Sequence, residues 1–257
     1  MVFIDILAFE EVTLLMAAVL LGYVGVLGLF SMRRNDPAGV KGVLKGAAIP
    51  LGAVGVIATT FGIWGEMVWQ YPAPYLASYN ILFNDTYLLF GLTLLGLAIS
   101  MALTLKLQYV GLFALVAGGT TIAYGYQGWV LGMTKDPLET FLLFGAFGLA
   151  GILAFPVTLV TDHYLAHSVS VPSTAPESVA TPSHRPSIQT ASRAVQPIVP
   201  VTSSGTPDET ESYTPKFRLP IYISVTMLIF VVAVALAAIA ALYYLDATLP
   251  AHLASAP

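Results

Sequence analysis

The chain reads as an all-α polytopic transmembrane helix bundle: five clustered helices with a duplicated hairpin, and a sixth helix tethered behind them. Three observations predict this. Hydrophobic residues make up 57% of the sequence and charged residues 9%, too little charge to cover a soluble domain. Six apolar stretches reach the roughly 20 residues needed to cross the hydrocarbon core. Nine of the ten Lys and Arg residues then fall on one side of the bilayer, the cytoplasmic side by the positive-inside rule.

The first span is expected over 12–31. Acids precede it (Asp5, Glu10, Glu11) and arginines follow it (Arg33, Arg34), the reverse of a signal peptide's basic start, so it reads as a retained helix. The second is expected over 46–69 and the third over 86–105. Between them runs an aromatic, proline-containing loop, Trp69 to Asn80, whose Trp and Tyr side chains suit the headgroup level. The fourth and fifth, over 107–132 and 140–161, are joined by a tight turn, Gly132-Met133-Thr134-Lys135-Asp136-Pro137. These spans define a five-helix domain over 1–161. Residues 162–217 change character: Ser, Thr and Pro dominate, and no apolar period appears. Such a segment buries too little surface to offset the entropy of ordering, so a disordered cytoplasmic linker is expected. As a flexible coil it would hold its ends roughly 40 Å apart. The last domain, 218–257, contains the sixth span over 219–245. Its stripe Ala233, Ala237, Ala241 suits docking or dimerisation.

This topology places both termini outside. It leaves eight acids against one lysine there, a charge of −7, and nine bases against six acids inside, a charge of +3. A negative face concentrates cations; equally, positive-inside sorting leaves acids for the other side.

An internal repeat is expected. Asp85-Thr86-Tyr87-Leu88-Leu89-Phe90-Gly91 recurs as Glu139-Thr140-Phe141-Leu142-Leu143-Phe144-Gly145, and Ala58-Thr59-Thr60-Phe61-Gly62 aligns with Gly119-Thr120-Thr121-Ile122-Ala123. The helix 2–3 and helix 4–5 hairpins would be parallel copies related by an axis along the membrane normal, with Glu66 paired to Gln127.

Glu66 is the foremost candidate site residue. It follows Ala58 and Gly62 at four-residue spacing, and small residues mark the face where helices approach. Its carboxylate should therefore point into the bundle, where an intramembrane acid is costly and functional; its nearness to Trp64 and Trp69 also fits simple contact with interfacial water. Asp85 and Glu139 stand where an acid caps a helix start. Together Glu66, Asp85, Gln127 and Glu139 would form a polar ring at one depth, able to bind a proton or cation. Asn84-Asp85-Thr86 also has the form of an N-glycosylation acceptor. His163 and His167 have the four-residue spacing of helical metal ligands, with Asp162 the sole third group nearby. No histidine lies inside a span and no cysteine is present, which excludes thiolate metal sites and paired histidine ligation of haem within the bundle. No nucleophile-elbow, phosphate-loop or zinc-protease pattern appears. No catalytic, cofactor or metal site is assigned.

The start Met1-Val2-Phe3-Ile4-Asp5 resembles a widespread prokaryotic membrane family, domain of unknown function 981. So does the stretch from Tyr71-Pro72 through Ser78-Tyr79-Asn80-Ile81 to Leu88-Leu89-Phe90-Gly91. The likeness covers about residues 1–161 and implies a small polytopic membrane protein, with no activity attached. The expected function is non-enzymatic: an accessory or scaffolding component that packs with other membrane proteins or with itself in the lipid bilayer of the cell membrane. The rival is a small proton- or cation-translocating transporter or channel. Nucleic acid is not an expected partner.

Overall fold

The computed structural model describes residues 6–68, 79–168 and 221–255, and among them every element is helical. In order these are α1 (Ile6–Arg33), α2 (Pro37–Val68), a π-helical turn (Asn80–Asp85) running directly into α3 (Thr86–Ala102), α4 (Gln108–Val130), α5 (Pro137–Ser168) and α6 (Ile221–Ser255). Six segments are long and apolar enough to cross a membrane, so the chain is a multi-pass membrane protein. The aromatic loop at 69–78 and the linker over 169–220 lie outside the described residues. The expectations of interfacial packing and of disorder lie there with them.

Several helix limits differ from expectation. α1 begins at Ile6 rather than near 12, and this draws Glu10 and Glu11 inside the bundle. α2 begins at Pro37 rather than near 46. Proline suits a first helical position because its missing N–H has no intrahelical partner there, and Asp36 caps the turn by accepting a bond from the Gly39 N–H at 2.8 Å. Lys41 and Lys45 thus ride on the first turns of α2. α5 continues to Ser168, past the boundary expected at 161. Prolines 50 and 156 sit inside α2 and α5, each removing one backbone hydrogen bond.

Three connections repeat one chemistry. Asn35, Thr104 and Gly132 all take positive φ. Immediately after each, a backbone N–H reaches back five residues: Asp36 to Ser31, Leu105 to Ser100, Met133 to Gly128, each at 2.9 Å. This is the left-handed helix stop that satisfies otherwise orphaned carbonyls. The short α3–α4 turn is fixed again from outside. Asp162 of α5 accepts the Leu107 and Gln108 N–H groups at 3.0 and 2.8 Å, capping α4 from a remote position.

Packing follows a closed circuit. α1 lies against α2, α2 against α3, α3 against α4, α4 against α5, α5 against α6, and α6 returns to α1. The α2–α3 and α4–α5 contacts are the closest. A Cβ on Gly62 would stand 2.8 Å from the Leu88 Cα, and one on Gly118 would stand 2.4 Å from the Gly148 carbonyl oxygen, so neither seam admits a side chain. α6 docks through the alanine stripe noted in the sequence: Ala233, Ala237 and Ala241 are all buried, and Val234 faces Gly22 of α1. Outward residues such as Val19, Ile49 and Ile239 are as apolar as inward ones, as a lipid-facing surface requires. The buried apolar residues gather in three clusters around this circuit, near Leu51 and Leu94, near Met32 and Phe230, and near Phe83 and Phe144.

Candidate functional site

The bundle has a basic end, carrying Arg33, Arg34, Lys41, Lys45 and Lys106, and an opposite end where α1 and α3 start and α2 and α4 finish. The opposite end gathers the polar chemistry. Glu66 follows the buried Ala58 and Gly62 on α2, is itself half-buried, and faces the Asp85 carboxyl closely enough for a hydrogen bond between them. Two facing carboxyls are relieved by a shared proton or by a cation. The Tyr124 hydroxyl donates to Asp85 Oδ2 at 3.1 Å from α4.

The four-membered ring expected from sequence is thus only partly assembled. Glu66 and Asp85 meet, Gln127 is exposed, and Glu139 is approached instead by the Tyr243 hydroxyl of α6 at 3.4 Å. The cap expected of Asp85 is also corrected. Its side chain makes no capping hydrogen bond, because the π-helical turn carries the helix back to Asn80 and leaves no free start to cap. Such turns recur at functional sites, and this one buries Asn80 and Asn84. Asn84 is 0% exposed and packs against Gly65, so the glycosylation sequence has no accessible acceptor. The His163 and His167 rings lie 4.0 Å apart, tilted at 48°, but both oxygens of Asp162 are engaged at the start of α4. No cluster of three potential metal ligands occurs among the described residues.

Two acids carry more of this end than the sequence reading gave them. Glu10 and Glu11 are 3% and 2% exposed. Glu11 lies toward Tyr244, whose hydroxyl meets Thr140 at 3.4 Å. Glu10 lies beside Tyr87. The Thr13 hydroxyl is within 2.8 Å of the Glu10 backbone carbonyl and also pairs with the Tyr87 hydroxyl. With the threonine proton on that carbonyl, Tyr87 is the donor to Thr13, and its proton is not available to the Glu10 carboxyl. A signal for Glu10 was present in the spacing. Glu10, Leu14, Ala18, Leu21, Gly25 and Gly28 recur at three and four residues, which is one helical face.

That face lines a central cavity of about 190 Å³, walled by all six helices, for example by Leu21, Leu44, Phe90, Gly118, Phe147 and Phe230. Among the described residues its wall is apolar apart from threonines, Tyr87 and Glu10, and no Lys, Arg or His lines it.

Fold and site together define an all-helical multi-pass membrane protein with acids buried at one end of a hollow bundle. The family described as protein of unknown function (DUF981) matches residues 1–171, and the chain belongs to that family. α6, which closes the circuit, lies beyond the matched residues. No curated protein and no solved structure matches the chain.

Proposed function

We propose that this is a non-enzymatic protein of the cell membrane, with both termini outside, that binds a positively charged solute inside the bundle and carries it across. The observation supporting this is the hollow ring of six helices with buried carboxyls at one end and no basic residue in its wall. A buried intramembrane carboxyl such as that of Glu10 is costly unless it binds a proton or a cation. Glu66, Asp85 and Tyr124 would hold the charge near the surface, and Glu10 would receive it at the cavity. The test is flux into reconstituted vesicles with wild type, Glu66→Gln and Glu10→Gln. Uptake driven by an imposed gradient should fall at least tenfold in one or both variants. Equal leak in wild type, both variants and empty vesicles would end the transport reading.

A second reading is an accessory or scaffolding component that packs with other membrane proteins or a second copy. It is favoured by Gly42 and Gly46 of α2 and Gly119 of α4, which have open space over their Cα atoms and admit the close approach of another helix. The two hairpins fit duplication of one unit. The native mass of the gently extracted protein tests this accessory reading: a stoichiometric foreign subunit would support it, and a lone monomer would count against it.

A further inference from the structure

We infer that the central cavity is a binding site for a single-chain lipophilic amine, its tail lying along the bundle and its ammonium group against Glu10. This rests on the transport reading for its direction of use but not for its chemistry. The lining face of α1 runs from Glu10 to Met32, which at 1.5 Å per residue is roughly 33 Å of helix. A cavity of about 190 Å³ along that face is little larger than the roughly 150 Å³ that takes one benzene, so the chain it admits is short. Apolar cavities of this kind stay dry and take apolar guests, so the body of the ligand is an unbranched hydrocarbon.

The head is defined by what surrounds Glu10. It is 3% exposed and is the one carboxylate in the wall. No hydrogen bond reaches its carboxyl among the described residues. The hydroxyl of Tyr87, beside Glu10, is turned to Thr13. Glu11, the next residue, adds a second buried acid close by. A cationic head answers the Glu10 charge directly. Phe83, Tyr87 and Phe144 line the same end, with the Phe83 and Phe144 rings edge to face at 5.7 Å. Aromatic walls beside a carboxylate are the chemistry that recognises ammonium groups. An anionic head would be repelled by the Glu10 carboxylate, and a neutral head would leave its charge uncompensated.

The experiment uses the full chain in lipid nanodiscs with hexylamine, hexanol and hexanoate as probes, and native mass spectrometry to count the retained molecules. Wild type should retain hexylamine at least about tenfold more strongly than hexanol, the difference expected of a charge-assisted contact, and should not retain hexanoate. Glu10→Gln, which keeps the side-chain shape, should bring hexylamine down to the hexanol level. Ala150→Phe, which fills the cavity, should remove both. Equal retention of the three probes by wild type, or no change in Glu10→Gln, would overturn the site. Amine retention without vesicle flux would support the site and end the transport reading. Cation flux with no selective amine retention would overturn the site and leave transport standing.

Discussion

The α2–α3 and α4–α5 hairpins are packed alike and chemically unlike. In the first, Gly55 lies against Leu95 and Gly91 against Thr59; in the second, Gly118 lies against Ile152 and Gly148 against Ile122. The inward residues follow the same three-and-four spacing, Leu51, Gly55, Ala58, Gly62 and Gly65 in α2 and Ala114, Gly118, Gly125 and Gly128 in α4. Matching these seams sets Glu66 beside Trp129 and Asp85 beside Leu142, not beside Gln127 and Glu139 as the Leu-Leu-Phe-Gly pattern aligned them. The second hairpin supplies only the Tyr124 hydroxyl to the acid pair. The seam is what two apposed helices require wherever they occur. The acids are an addition to one hairpin, and so are to be explained by something other than packing.

Breaking the seams should show the likeness first. Gly91→Leu and Gly118→Leu each place a side chain where a Cβ already meets backbone at 2.4 Å. Both should lose about 3 kcal/mol or more, seen as aggregation or early unfolding in detergent; tolerance of either would mean that its seam is looser than described. Next comes the remote cap. Asp162→Ala frees two N–H groups at the start of α4 and should cost about 1–3 kcal/mol of thermal stability, with no counterpart in the first hairpin. Tyr124→Phe removes one hydroxyl from Asp85 and should cost about 1 kcal/mol, whereas Gln127→Leu at an exposed position should stay within about 0.5 kcal/mol. A larger effect at Gln127 than at Tyr124 would restore the ring drawn from the sequence. A gain rather than a loss is expected at the turn between the hairpins. Thr104 is β-branched at φ 54°, so Thr104→Gly should raise stability by up to about 1 kcal/mol.

Helix number and order were legible because each span is a long apolar run bounded by charge or proline. Helix starts were less so. Glu10 and Lys41 look like solvent-facing residues, yet a helix continues through them, since its backbone bonds do not depend on side-chain polarity and the ends of the bundle offer each a place. Asp85 looked like a cap because a polar pair precedes an apolar run; only the π-helical turn, invisible to periodicity, shows that the helix is already under way. The direction of Glu66 followed from the small residues one and two turns before it. The cavity could not be read, because it depends on α6 closing the ring between α1 and α5, a contact between segments far apart in sequence.

That closure can be tested directly, since the chain has no cysteine and introduced pairs carry no background. Gly22 and Val234 face each other across α1 and α6 at 3.7 Å from an added Cβ, within the reach of a disulfide. Gly22→Cys with Val234→Cys should oxidise in native membranes to a link within one chain, leaving a monomeric band. Absence of a link, or links only between chains, would mean that α6 docks elsewhere and that the six helices do not enclose the cavity.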